Sequence, residues 1–302
     1  MSMVNPRRGG LYRDALLSTL RRRAPGGTLP DVELTRDGVT IDRTHLAEYD
    51  RVCGFRLSDE LPPTYPHVLA FPLAVGLMSR PDFPLPLLGM VHIANRIELR
   101  RTLRADEVLQ VRVRAEDLRP HERGRQVDLV AEARVGSELV WAGRSTYLHR
   151  DQRAGQTDHS GQSADRPAGT TRPAAATPPA ATAIWQVPAR VGRDYAKASG
   201  DHNPIHTSRL GARLFGFPRP IAHGMWSKAR CLAALEGRLP EAYTVEVAFR
   251  APILLPATVG YAAYPGGGGW RLALHHARSG RPHLVGTVST GARLRSRGAP
   301  AP

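Results

Sequence analysis

The sequence predicts an α+β protein in which one helix, followed by consecutive antiparallel strands, occurs twice along the chain. In each half, apolar and polar residues alternate over several successive stretches, which is the two-residue period of half-buried strands. Each set of stretches follows one segment of helical length and apolar character. A curved sheet that wraps a central helix accounts for both patterns, because the helix and the sheet then bury their apolar faces together.

In the first half, the helix is predicted over residues 65–78, which are mostly apolar. The first strand is predicted at 91–99, where Val91, Ile93, Ile97 and Leu99 alternate with other residues. A break follows at residues 101–106. The remaining strands are predicted from residue 109, at 127–135 and at 139–148.

In the second half, the helix is predicted from about residue 222 to residue 236. Met225, Ala229 and Leu232 lie on one face of it, and Gly237 is well placed to end it. The strands are predicted at 245–249, from residue 259 after a break at 251–256, at 270–276 and at 284–290.

Between the halves, residues 151–183 are rich in Ala, Pro, Thr, Gly and Ser and contain no aromatic residue. Such a segment buries too little apolar surface to offset the entropy lost on ordering, so it is predicted to be a flexible linker. The domains are therefore predicted as 1–150, a linker at 151–183, and 184–302.

The net charge of +15 does not by itself indicate a nucleic-acid binder, because only two of the 42 basic residues are Lys and the arginines are scattered. A basic surface would still attract an anionic partner. No run of eighteen apolar residues occurs, so no membrane span is expected. Cys53 and Cys231 lack the spacing of a zinc site or a disulfide framework. A cytoplasmic, reduced protein is the prediction.

The segment with the most chemistry is YAKASGDHNPIH, residues 195–206, followed by GFPRPIAHGM, residues 216–225. Its turn-forming residues are expected to end a short helix at about Ala198 and to hold the next residues in a fixed loop. That loop carries Asp201 and His206 five residues apart. A carboxylate and an imidazole can hold one water between them, take its proton and return a proton to carbon.

Two further residues complete this candidate site. Asn203 can orient the pair without titrating. Gly224 stands at the expected start of the second buried helix, where its backbone N–H would be a free donor at the positive end of the helix dipole. Such a donor can stabilise the enolate-like oxygen of a thioester in a transition state.

Together, the two stretches resemble the hydratase motif of the MaoC-like (R)-specific enoyl-CoA hydratase/3-hydroxyacyl dehydratase family, in its two-hotdog form. The match runs almost continuously from Tyr195 to Met225. The resemblance implies a double hotdog with a degenerate N-terminal domain, which makes room for an acyl chain, and a catalytic C-terminal domain. It implies reversible hydration of trans-2-enoyl thioesters, carried by CoA or acyl carrier protein, without a cofactor.

The resemblance also implies residue roles. Asp201 and His206 would be the catalytic pair, and the Gly224 N–H would contact the thioester oxygen. The substrate-positioning residues would be Asn203, Ser199, Tyr195 and His223. Some members of the family also carry a Ser on the buried helix, and Leu232 is expected at that place here.

Alternatives remain open at this point. Asp201 could be a helix cap and His206 a surface histidine. Tyr195 and His223 could be packing residues. Arg219 could either meet a CoA phosphate or be an ordinary exposed arginine. A metal site is not expected, because the Asp and His residues lack the usual ligand spacing. The rival functions are a hotdog thioesterase, a non-catalytic acyl-binding subunit and a nucleic-acid binder. Either a monomeric double hotdog or a homodimer is expected.

Overall fold

The computed structural model describes residues 27–87, 89–150 and 179–290, whose ten strands form a single antiparallel sheet. Residues 151–178 of the predicted linker lie outside the described residues. The elements of the first half are β1 (Glu33–Val39), α1 (Arg43–Cys53), α2 (Tyr65–Met78), β2 (Met90–Leu99), β3 (Leu109–His121), β4 (Gly124–Val135) and β5 (Glu138–Arg150).

The second half repeats this order, with two short helices added. Its elements are β6 (Ala183–Val187), α3 (Val191–Ser199), α4 (Pro204–Thr207), α5 (Arg209–Leu214), α6 (Gly224–Ala233), β7 (Tyr243–Phe249), β8 (Ala257–Gly266), β9 (Gly269–His276) and β10 (Pro282–Ser289). In the part of the chain that is described, no helix has the length and apolar character needed to cross a membrane.

The strand order across the sheet is β1-β3-β4-β5-β2-β7-β10-β9-β8-β6. Read from each outer edge inward, both halves have the same order, and they meet where β2 pairs with β7, with Ile97 opposite Val245. The predicted double hotdog is confirmed. The junction places the inner strands of both halves side by side, so that one cavity can be lined from both.

The central helices are α2 and α6, and both are largely buried against the sheet. Helix α2 has the predicted bounds and is apolar on nearly all sides, as a helix enclosed by a sheet must be. Helix α6 begins two residues later than predicted, because Ile221 bridges to Leu254 and the Ala222 N–H donates to the Ile253 carbonyl. It ends at Ala233, before the left-handed Gly237.

Five elements were not predicted from the sequence: β1, α1, β6 and the two short helices α4 and α5, which lie where a loop was expected. Strands β1 and β6 are the two edges of the sheet. Helix α1 has both of its ends capped, since the Asp42 carboxylate accepts from the Thr44 and His45 N–H groups and Gly54 adopts the left-handed conformation. It packs against α3, which carries the start of the sequence motif.

Candidate active site

The motif folds into a fixed bend between α3 and α4. The Ser199 hydroxyl donates to the Tyr195 carbonyl at 2.7 Å and accepts from the Asp201 N–H at 3.2 Å. Gly200 ends α3 in the left-handed conformation, with φ of 77°. Asn203 caps α4 by accepting from the Ile205 N–H at 3.3 Å. Each turn-forming residue therefore has a defined backbone partner.

This bend brings Asp201 and His206 close together. The Asp201 side chain is 24% exposed, and its Oδ1 accepts from the Asn203 N–H at 3.2 Å. His206 is buried, and its Nδ1 lies 2.8 Å from the Ile221 carbonyl oxygen, to which it must donate. A neutral His206 ring therefore keeps its proton on Nδ1, and Nε2 is its remaining acceptor. Burial lowers the His206 pKa, against the opposing effect of the Asp201 carboxylate.

His223 lies directly behind this pair. It is the residue before α6, and its Nε2 donates to the Asp201 backbone carbonyl at 3.0 Å. Its ring stacks on the His206 ring with centroids 3.6 Å apart. Burial, together with the neighbouring His206, lowers the His223 pKa to about 3, so the ring is neutral across the physiological range.

Gly224 is the first residue of α6, and no side chain caps that end of the helix. Its N–H is one of the donors without an intrahelical acceptor at the positive end of the helix dipole. A Cβ at this position would lie 3.1 Å from the Phe249 ring. Glycine therefore lets Phe249 of β7 approach the start of the helix closely.

All seven predicted site residues line one cavity of about 570 Å³. They are Tyr195, Ser199, Asp201, Asn203, His206, His223 and Gly224. The first half of the chain supplies much of the remaining wall, including the apolar side chains of Val68, Phe71, Met78, Leu87 and Met90. The cavity thus has a polar end from the motif and an apolar region from α2 and its neighbours.

Sequence reasoning missed a polar group that the first half contributes. His92 and Tyr147 stack with centroids 4.6 Å apart, His67 stacks on His92, and all three line the cavity. Burial lowers the His67 pKa to about 4. No local signal marks these residues, because they lie on α2, β2 and β5 and meet the motif only through the pairing of β2 with β7.

The buried helix α6 does carry one serine at the cavity, at a different position from Leu232. Leu232 belongs to the hydrophobic core, whereas Ser227, one turn into α6, lines the cavity. The Ser227 hydroxyl donates to the His223 carbonyl at 3.2 Å. It therefore supports the start of α6 next to Gly224.

Contrary to the spacing argument, three potential metal ligands meet in this site. One ligand atom each from Asp201, His206 and His223 lies within 4.8 Å of the others. The stacking of the two rings makes them a poor pair of ligands, however. Imidazole lone pairs lie in the ring plane, so two rings face to face direct them side by side instead of toward one ion.

Comparison with known proteins finds a family and solved structures that this chain resembles. Residues 166–267 match the family described as "MaoC like domain". The 3-hydroxyacyl-thioester dehydratase X of Mycobacterium tuberculosis is 41% identical over 260 residues, which cover 86% of this chain and 90% of that protein. The crystal structure of HtdX from the same organism superposes with a TM-score of 0.74 at 38% identity, over 85% of this chain and 99% of that one.

A more distant structure has the same fold. The MaoC-like dehydratase from Phytophthora capsici has a TM-score of 0.67 at 19% identity, over 87% of this chain and 96% of that one. The likeness in fold therefore extends across both halves of the chain.

Proposed function

Because this chain belongs to the MaoC-like dehydratase family, we propose that it adds water to trans-2-enoyl thioesters to give (3R)-hydroxyacyl thioesters, and catalyses the reverse dehydration. One observation carries the proposal: Asp201, His206 and Gly224 line one cavity of about 570 Å³ that also has apolar walls. The relative that is 41% identical is named a 3-hydroxyacyl-thioester dehydratase, which supports the same reaction.

In the proposed hydration, one water is held between the Asp201 carboxylate and His206 Nε2. The water oxygen bonds to C3 of the enoyl group as one of its protons passes to this pair, and the π electrons move onto C2 and the thioester oxygen. The pair then delivers a proton to C2 on the same face. One hydrogen and one hydroxyl are thus added, and no electrons are exchanged with a cofactor.

Gly224 and its neighbours would stabilise the charge that develops on the thioester oxygen. The Gly224 N–H lies at the start of α6, where the helix dipole favours negative charge. Loss of one such donor typically costs about 3 kcal/mol of activation free energy. Asn203, Ser199, Tyr195 and His223 would position the pair through the contacts of the bend.

We further propose that residues 1–150 and residues 184–302 are two domains with different roles. The second region carries the motif, and the first would hold the acyl chain against Phe71, Met78 and Met90, which line the cavity.

We place the activity in the cytoplasm. Cys53 and Cys231 are buried free thiols, which is consistent with a reducing compartment.

The test uses the full-length protein with crotonyl-CoA and longer trans-2-enoyl-CoAs. Loss of the conjugated double bond is followed together with release of free thiol. We expect hydration without thiol release, and we expect Asp201→Asn and His206→Gln each to reduce it by at least about a thousandfold. His202→Gln is the matched control, because His202 lies in the same bend and is exposed.

Three results would contradict the proposal. Release of thiol would indicate a thioesterase, although α2 and α6 contain no carboxylate to perform that reaction. Binding without any turnover would indicate an acyl-binding subunit. Full activity of folded Asp201→Asn would remove Asp201 from the reaction.

A further inference from the structure

An exposed apolar ridge lies immediately after the motif. Leu210 and Leu214 on α5 are 70% and 76% exposed, and the adjoining Phe215 is 37% exposed. Because they are four residues apart, the two leucines project from the same side of the helix. Isolated exposed leucines are common, but here three large apolar side chains form one group.

The ridge is flanked by arginines that lack counter-charges. Arg209, Arg213 and Arg219 are exposed, and none of them forms an ion pair with any residue in the described ranges. By contrast, arginines on the strands, such as Arg114 and Arg144, each bind two or more carboxylates. The sequence from residue 202 to residue 235 contains no Asp or Glu at all. The positive charge of this surface is therefore not balanced locally.

This surface borders the candidate active site and is called here the arginine–leucine lip. It consists of Arg209, Leu210, Arg213, Leu214, Phe215 and Arg219. Helix α5 packs against α4, which carries His206. Phe217 and Ile221, which follow α5 in the chain, line the cavity. A partner seated on the lip would therefore lie beside the cavity in which the thioester reacts.

We propose that the lip is the docking surface for an acyl carrier protein, which delivers the acyl group on its pantetheine arm. This inference rests on the proposed function and identifies the carrier of the substrate. The partner must present carboxylates and apolar side chains on one face, since the lip offers both guanidinium groups and an apolar ridge. The phosphates of CoA would pair with arginine but would leave Leu210, Leu214 and Phe215 uncovered.

A CoA substrate and a carrier-protein substrate can both contact an arginine inside the cavity that is not part of the lip. Arg250 lines the cavity itself and can meet the phosphate that CoA and a carrier-bound pantetheine share. Substitution of the lip should therefore affect only a substrate that carries a protein. This difference separates docking from a general effect on catalysis.

The experiment compares one trans-2-enoyl group on three carriers: acyl carrier protein, CoA and N-acetylcysteamine. The variants are Arg209→Glu with Arg213→Glu, and separately Leu210→Ser with Leu214→Ser. The control, Arg36→Glu with Arg278→Glu, reverses the same number of exposed charges elsewhere. We expect kcat/KM for the protein-bound substrate to fall at least about tenfold in both lip variants, through KM, and to change by less than about twofold for the other two.

Raising the salt concentration should shrink the advantage of the wild type over the arginine variant. Equal losses on all three carriers, no loss on the protein carrier, or the same loss in the control would overturn the docking proposal. So would binding to phosphatidylglycerol vesicles that the lip variants abolish without a change in carrier kinetics. Failure of the proposed function looks different, because the wild type would then hydrate none of the three thioesters.

Discussion

His206 and His223 stack face to face with ring centroids 3.6 Å apart and an angle of 25° between their planes. Each ring also donates a hydrogen bond from one N–H to a backbone carbonyl. His206 donates from Nδ1 to Ile221, and His223 donates from Nε2 to Asp201. Both rings are thus fixed in orientation and in tautomer. The nitrogens that remain, His206 Nε2 and His223 Nδ1, lie on nearly parallel planes, which suits proton transfer at His206 better than shared coordination of an ion.

The first prediction concerns metal removal. Because the stacked rings cannot aim their lone pairs at one ion, dialysis against EDTA should leave the hydration rate unchanged within about twofold, and added Zn²⁺ should not raise it. Metal analysis of the purified protein measures occupancy alongside the rate. A stoichiometric metal, with activity lost on chelation and restored by Zn²⁺, would contradict this reading of the Asp201, His206 and His223 cluster.

The second prediction concerns pH. His206 must be neutral to accept a proton from water, and burial lowers its pKa below the usual 6.5. The hydration rate should therefore reach half of its maximum below pH 6.5, fall on further acidification and level off as the pH rises above that value. The check is the pH profile of kcat with an enoyl-CoA. A half-maximal rate reached above pH 6.5 would show that the titrating base is a different group or that His206 is more exposed than the structure indicates.

The third prediction concerns Gly224→Ala. The added methyl group would lie 3.1 Å from the Phe249 ring, and that ring packs edge-on against His92 with centroids 5.0 Å apart. A shift of α6 or Phe249 would misplace the N–H donor, so kcat/KM should fall about tenfold or more while the protein remains folded. A second substitution, Phe249→Leu, should recover part of the loss. Wild-type kinetics for Gly224→Ala would show that the contact relaxes without moving the donor.

Helix α1 of the first half corresponds to α3 of the second half, and this correspondence is visible in the sequence. Each helix follows an edge strand and ends in a left-handed glycine, Gly54 with φ of 81° and Gly200 with φ of 77°. When these glycines are aligned, Tyr49 corresponds to Tyr195, Cys53 to Ser199 and Phe55 to Asp201. The first half therefore retains the frame of the motif, with phenylalanine where the motif has its carboxylate.

The polar motif and the central helices could be predicted because their signals are local. The edge strands could not, because β1 has a largely exposed pattern and pairs only with β3, so it shows little hydrophobic alternation. Helix α1 did have a usable signal, since its buried residues Leu46, Tyr49, Asp50 and Cys53 have helical spacing. The clustering of His92 and Tyr147 with the motif depends on pairing between the two halves, which no sequence window contains.

The fourth prediction concerns Lys228, which is fully buried at the junction of the two halves. Its Nζ donates to the Asn95 Oδ1 of β2 at 2.5 Å and to the Val245 carbonyl of β7 at 3.2 Å. Lys228→Ala would leave these acceptors unpaired and open a cavity, so the free energy of unfolding should fall by roughly 2–4 kcal/mol. Urea denaturation measures it. Lys197→Ala is the control, because Lys197 is the other lysine of the sequence and is exposed. Equal losses of the free energy of unfolding in the two variants would contradict the prediction.

The fifth prediction concerns Asp50 on α1, a carboxyl group that is only 1% exposed. Neither of its oxygens has a hydrogen-bond partner among the described residues. Burial, with a smaller effect from the nearby Glu236, raises its pKa from 3.8 to about 7. The folded protein therefore holds this proton to higher pH than the unfolded chain does.

The consequence is a loss of stability as pH rises. Well below pH 3.8 Asp50 is protonated in both states, so its effect on stability does not change with pH. Between pH 3.8 and about 7 the unfolded chain releases the proton first, so the folded state is progressively disfavoured. Asp50→Asn lacks this titration. At pH 8 its Tm should exceed that of the wild type by a few degrees, since about 1 kcal/mol corresponds to roughly 2–4 °C in a chain of this size.

The difference in Tm between Asp50→Asn and the wild type should therefore grow from pH 5 to pH 8, measured by thermal denaturation at each pH. Asp31→Asn is the control, because Asp31 is exposed and its removal should shift Tm equally at both pH values. A constant difference for Asp50→Asn across this range would show that Asp50 is already ionised in the folded state at pH 5. Its carboxylate would then have to be stabilised by a partner other than the described residues, since burial alone favours the neutral form.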